Sequence, residues 1–242
     1  MMMIKKSLFL AVVCAGLLIP CFASAQMLGG IASDSSEGTN GGGPGYSLKV
    51  HISAGGASTA TTTAIDTTGA DLIVVFVSGD SSPTLSDSKS NTWLTAIAHH
   101  GSYWGTIYYC RPPSNKVGTG HTFTETSTYG TIEVTAWSGS ASSPLDQTNG
   151  ADSYAVTSTQ PGSINAVNRE LIITGWLSDQ SYSSLTINSS FTIDDSQLYS
   201  SGTNFGGGMA YRIENTTEAV NPTWSWTSSI NSLSAIASFK AQ

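Results

Sequence analysis

The sequence predicts an all-β fold: a two-sheet antiparallel sandwich, jelly-roll-like, of about ten strands. Three observations predict it. Charged residues make up only 10% of the chain, and Ser, Thr and Gly fill the polar positions beside many Val, Ile, Tyr and Trp residues that suit a pleated surface. Short alternating or continuous apolar segments recur at intervals of roughly 8–12 residues, separated by Gly, Asn and Pro. No segment keeps a helical period over three turns.

The chain opens with "MMMIKKSLFLAVVCAGLLIPCFASAQ". Lys5 and Lys6 precede an apolar run from Ser7 to Phe22, and Ala23-Ser24-Ala25 supplies a small-x-small cleavage site. Residues 1–25 therefore read as a secretory signal peptide cleaved after Ala25, and the expected location is extracellular, cell-surface or periplasmic. The run is short for a membrane span and Pro20 interrupts it, so no span is expected in the mature chain. Residues 26–45 include "GGIASDSSEGTNGGGPG", a Gly/Ser-rich flexible segment. One folded domain is expected over residues 46–242, with no internal repeat of fixed period.

Strands are expected in order. "YSLKVHIS" alternates, with Leu48, Val50 and Ile52 on one face. "LIVVFVS" is apolar on both faces and reads as central. "TWLTAIAHH" and "WGTIYYC" follow, and Pro112-Pro113 end the second of them. "HTFTET" alternates. "GTIEVTAW" puts Ile132, Val134 and Ala136 inward and Glu133 and Trp137 on the other face. "PLDQTNGADSYAV" is irregular, with room for a helical turn. "ELIITGWLS" is a second doubly buried candidate. "SLTINSSFTIDDSQLYS", "GGGMAYRIE", "TWSWTSS" and "SLSAIASFKA" complete the series.

Taken in order, "GADLIVVFVS", "LSDSKSNTW", "TIYYC", "VTAWSGSASSPLDQT", "ELIITGW" and the closing "AIASFKA" resemble a family of jelly-roll β-sandwich domains found in secreted and surface-displayed bacterial proteins. The resemblance spans Tyr46 to Ala241. It implies the fold and transfers no catalytic residue. The chain differs at Lys89-Ser90-Asn91, where Gly-Asn is usual, and at Trp137, where Tyr is common.

Charge and cysteines exclude several functions. The formal net charge is −7, and loss of Lys5 and Lys6 with the leader takes it to −9. Such a chain neutralises phosphates poorly, so nucleic acid is not an expected partner. Cys14 and Cys21 lie in the leader, which leaves Cys110 alone, expected as a small buried hydrophobe.

Gly79-Asp80-Ser81 after a strand looks like a hydrolase nucleophile. Its base should come from a late histidine, yet no histidine follows His121, so the stretch reads as a turn. Ser138-Gly139-Ser140 lacks the leading glycine of a nucleophile elbow and reads as a strand end. His99 and His100 are adjacent and point to opposite faces; either could join His121 and Glu125 at a metal, but no ligand spacing favours it. Asp66 with Asp71, and Asp80 with Asp87, flank loops with spare carbonyls and are the candidates for a structural calcium; no cofactor is otherwise required. Glu133 beside Trp137 is the candidate carboxylate of a glycan-cleaving site. Tyr103, Trp104, Trp224 and Trp226 are the candidate ligand platform, because an exposed ring can stack on a sugar.

Three functions follow from these residues. The first is a secreted non-catalytic binding module for a glycan or cell-surface polymer. The second is an extracellular structural subunit of a filament, surface layer or matrix, with self-association. The third is a polysaccharide-active enzyme using Glu133.

Overall fold

The computed structural model describes residues 45–242, so the expected leader and nearly all of the expected tether lie outside the described residues. The first half contributes β1 (Ser47–Gly56), β2 (Ala60–Thr61), β3 (Leu72–Gly79), β4 (Thr84–Asp87), β5 (Leu94–His100), β6 (Trp104–Cys110), β7 (Phe123–Thr126) and β8 (Gly130–Ser138). The second contributes β9 (Ser140–Thr159), β10 (Ile164–Ala166), β11 (Leu171–Ser178), β12 (Thr186–Ile187), β13 (Thr192–Gln197), β14 (Gly206–Ile213), β15 (Glu218–Val220) and β16 (Trp224–Ala241). One short 3-10 turn, Ser114–Lys116, is the sole helical element among the described residues.

Two antiparallel sheets form the sandwich. The first runs β1-β8-β3-β6-β5; the second runs β9-β16-β11-β14-β13, with β12 also on β16. β3 and β11 are central and buried along their whole lengths, as their continuous apolar sequences predict. The stretch with room for a helical turn is instead part of β9, a twenty-residue strand that follows β16 through several register shifts. Its pairing on a long partner overrides its weak local pattern.

The two halves repeat one topology, although the sequence carries no repeat of fixed period. Both sheets place their strands in the same permutation, and each half fills its own sheet, whereas the strands of a jelly roll pass between the two sheets. β5 and β13 even carry register shifts at matching places, Thr95/Ile97 and Ile193/Asp195. Contacts across the interior come in reciprocal pairs, as at an isologous dimer interface. Tyr109 packs on Phe239 at 5.5 Å, and its counterpart Tyr211 packs on Trp137 at 4.9 Å. Tyr103 and its counterpart Phe205 meet at 5.0 Å, on the pseudo-two-fold axis. Leu233 lies over Gly105, while Thr131 and Glu133 lie over Gly207. Phe76 lies over Gly175 so closely that a Cβ there would be 2.3 Å from the ring.

Each sheet is covered on its outer face. β2-β7-β4 covers the first, burying Ile73, Val75, Phe123, Ile132 and Val134. The β10-β15 pair and the segment around Tyr182–Ile187 cover the second, burying Trp176, Trp224 and Trp226. Cys110 is buried in the first covering layer, and burial pushes its thiol upward. Among the described residues no helix is long and apolar enough to cross a membrane. Gly139, at φ +104°, turns the chain between the halves, and the Asp71 carboxylate accepts the amides of Gly139 and Ser140 at 3.1 Å each. Gln242 donates its amide to Gly139 O at 2.9 Å, and Tyr46 donates its hydroxyl to Lys240 O at 2.8 Å.

Candidate functional site

Two of the predicted platform residues are core. Trp224 is fully buried and Trp226 nearly so, both packed with Trp176. The alternation correctly put them on one face, but that face lies beneath the second covering layer. Trp224 Nε1 donates to Thr174 Oγ1 at 3.1 Å, which satisfies the buried indole. Trp104 is half-buried and stacked on His100 at 4.0 Å. Strand alternation points Trp104 away from the interior that Tyr103 faces, so the two do not share a surface.

Glu133 is also corrected. The expected solvent face of β8 is the face between the two sheets, so Glu133 and Trp137 are both fully buried. Neither Glu133 carboxylate oxygen has a hydrogen-bond partner. Burial, and then the charge of Asp195, push its carboxyl well above the usual range. No second carboxylate faces it across an open cleft, which glycosidic cleavage requires.

The remaining motifs resolve into structure. Ser81 Oγ accepts the Thr128 amide at 2.9 Å, so Gly79-Asp80-Ser81 is the predicted turn. Asp66 binds the Thr68 amide and hydroxyl at 2.9 and 2.6 Å. Asp87 accepts from the Lys89 amide at 2.7 Å and from Trp93 Nε1 at 2.8 Å, and it meets His121 Nε2 at 3.1 Å. His121 is fully buried, its other ring nitrogen 2.9 Å from Thr67 Oγ1. Thr67–His121–Asp87 thus has the connectivity of a hydrolase relay, but all three side chains are sealed from substrate. Among the described residues no three of His, Cys, Asp and Glu come together as a metal-ligand set.

Tyr103 packs behind a cleft without lining it. Its hydroxyl donates to Asp179 Oδ2 at 2.8 Å, and burial with that neighbouring carboxylate pushes it up to about 12. Its ring meets Phe205 edge-on at 5.0 Å, and Phe205 meets Tyr129 at 5.9 Å. A cleft of about 320 Å³ at one end of the sandwich is lined by Tyr129, Tyr199, Ser200, Ser201, Asn204 and Phe205 among others, with Phe205 only 8% exposed beneath it.

Local chemistry builds this cleft. Ser200 and Asn204 exchange backbone bonds of 3.0 Å, and Gly202, at φ +74°, closes the tip between β13 and β14. Asn204 Nδ2 braces that tip through Leu198 O and Phe205 O at 2.9 and 2.6 Å. Tyr129 sits in the turn between β7 and β8 at φ +56°, a region a bulky residue seldom adopts. Two bonds hold it there: its amide donates to Ala57 O at 2.9 Å, and its carbonyl accepts from the Phe205 amide at 2.8 Å. Such a conformation costs on the order of 1–3 kcal/mol and persists because these bonds over-determine it. The ring remains 36% exposed.

Two larger cavities are less suited to a sugar ring. One of about 680 Å³ surrounds Arg212, whose guanidinium already bonds Glu214 and Glu218. The other, about 380 Å³, lies beside Leu94, Tyr109 and Arg111, the counterparts of Thr192, Tyr211 and Ile213 in the first. Each has a single aromatic residue in its lining, Tyr211 in the first and Tyr109 in the second.

Tyr129, Tyr199 and Phe205 were not singled out from sequence. Their signal was aromatics beside small polar residues in loops, "STYG" and "LYSSGTNF". Compared with protein-family models, with curated proteins and with solved structures, the chain matches none.

Proposed function

We propose that the chain is a secreted binding module that recognises a glycan or a related hydroxyl-rich surface polymer through the cleft at Tyr129, Tyr199 and Phe205. One observation carries this reading. Two tyrosine rings, Tyr129 and Tyr199, border an open cleft with Phe205 buried beneath it, and the cleft's other groups are hydroxyls and an amide. Such a surface offers apolar faces to sugar C–H groups and hydrogen bonds to sugar hydroxyls. The leader read in residues 1–25 supports export, and the net acidity favours an uncharged or basic ligand over an anionic one.

The test is binding of mature protein to a carbohydrate array, followed by titration of the strongest hit against Tyr199→Ala. The substitution should weaken binding about tenfold, as expected for the loss of one stacking ring. Its unfolding midpoint should fall only modestly, because Tyr199 is half-buried at a loop on the edge of the core. A blank array, or unchanged affinity in Tyr199→Ala, contradicts the proposal.

A further inference from the structure

β5 and β9 are edge strands of the two sheets, and they lie side by side. Near the start of β9 its register on β16 breaks. Leu145 pairs with Phe239 and Ser140 with Ala241, so Ala141 to Pro144 all stand opposite the single residue Lys240. A bulge of this kind bends a strand and re-aims its side chains. Here it walls the cavity of about 380 Å³ described above, to which β5 and the end of β6 contribute Leu94, Tyr109 and Arg111.

Two properties of the lining point to one class of ligand. The first is its apolar wall. Leu94 is a large aliphatic side chain on an edge strand, yet it is 52% exposed. It pairs directly with Tyr109 across the strands, and Pro144 and Leu145 extend the same wall. The volume falls within the range of small-molecule sites, roughly 300–1,000 Å³.

The second property is Arg111. Its guanidinium makes one long hydrogen bond, from Nη1 to Ser142 O at 3.4 Å. Among the described residues no carboxylate pairs with it. A guanidinium has about five N–H donors in a planar fork, so most of that capacity is unspent. The pseudo-symmetric cavity shows the alternative. There Arg212 donates to Glu214, Glu218 and Ser189 O. Acidic residues outnumber basic ones 16 to 9 in this chain, so Arg111 is not unpaired for want of carboxylates.

We infer that this cavity binds a small amphipathic monocarboxylate, whose acid group takes the fork of Arg111 and whose hydrocarbon body lies against Leu94, Tyr109, Pro144 and Leu145. One guanidinium balances one charge, and its fork matches the two oxygens of a carboxylate. The acidity of the whole chain disfavours a more highly charged anion. The cavity shares no lining residue with the cleft at Tyr129 and Tyr199, so the glycan reading and this one can fail separately.

The experiment is an NMR titration of isotope-labelled mature protein with butanoate, hexanoate, octanoate and decanoate, each below its aggregation concentration, with octanol and octylammonium as controls. Octanoate should shift the amides of Leu94, Arg111 and Ser143 and leave those of Tyr129 and Tyr199 in place. Affinity should rise about twofold to fourfold per added methylene, as apolar burial in an open cavity gives. Arg111→Gln should weaken octanoate at least about tenfold and leave the weaker binding of octanol unchanged. Arg111→Lys should fall between, since it keeps the charge and loses the fork. Leu94→Ser should flatten the dependence on chain length. Arg111 and Leu94 are both exposed, so all three variants should keep the parent spectrum away from the cavity. Octylammonium binding as well as octanoate, full octanoate affinity in Arg111→Gln, affinity flat with chain length, or no shifts with any of the acids overturns the inference.

Discussion

Over the first sheet, the covering layer is fastened by a polar knot. Asp87 gathers the Lys89 and Asn91 amides, the Trp93 indole and His121, and His121 reaches on to Thr67. Over the second sheet, three tryptophans and Tyr182 do the corresponding work by stacking, with Trp176 in contact with all of the other three. The strand order beneath is identical. The difference teaches that this topology constrains where a covering layer must be, and leaves open whether hydrogen bonds or apolar area hold it.

The largest effects should come from cutting each fastening. Asp87→Ala leaves several buried donors unpaired and should cost about 3–5 kcal/mol. Trp224→Ala opens a cavity and should cost a similar amount, about 3–5 kcal/mol. Equilibrium unfolding in denaturant measures both, and the comparison breaks if either costs less than about 1 kcal/mol.

Acidity separates the two mechanisms. Hydrogen bonds from His121 and from the Lys89 and Asn91 amides hold the Asp87 carboxyl below its ordinary range, against its burial. Its contribution is therefore present above that range and is lost as pH falls through the lowered folded value. The Trp224 contribution has no such dependence. Four other carboxylates act in the opposite sense. Burial raises Glu125 to about 7 and Asp194 to about 7, lifts Glu133 well above its usual range, and lifts Glu170 as well. Their contribution is complete below the ordinary carboxylate range. As pH rises, the unfolded chain releases these protons first, so stability falls until the raised folded values are passed. Thermal unfolding from about pH 4.5 to pH 8 should show a progressive fall in Tm, and Glu133→Gln should flatten part of it. A stability that climbs steadily across this window would contradict the buried placement of these groups.

A smaller effect probes the interior shared by both halves. Gly175→Ala pushes a methyl into the Phe76 ring and should cost about 1–3 kcal/mol. Chemical denaturation of the variant checks this, and a neutral outcome would mean that Phe76 has room to shift.

The central strands were legible because β3 and β11 carry continuous apolar runs that fit only a position covered on both faces. Alternation was legible too, but it separates two faces without saying which one is covered. For that reason Glu133, Trp224 and Trp226 were placed toward solvent and are in fact enclosed. β9 was hidden because polar residues dominate it and its pairing comes from β16, far away in sequence. The duplication was hidden because counterparts differ in size and chemistry: Phe76 corresponds to Gly175, Thr131 to Leu233 and Glu133 to Ala235. At the Phe76–Gly175 crossing the difference is steric, because the Phe76 ring fills the space that a side chain at Gly175 would occupy. None of the residues lining the candidate cleft was foreseen, and Tyr103 packs behind it on Phe205. The lining comes from turns whose proximity depends on how the sheets dock.

The neighbourhood of Gly139 has a practical consequence. Gly45, at the start of the described residues, has its carbonyl oxygen 2.6 Å from where a Cβ of Gly139 would be, and Gln242 hydrogen-bonds to Gly139 itself. The path through the sandwich thus closes nearly on itself, returning at its midpoint to the place where it began. A circular permutant joined from Gln242 to Gly45 and opened at Gly139 would exchange the order of the halves while keeping every strand neighbour, because the new ends would emerge where the old ones met.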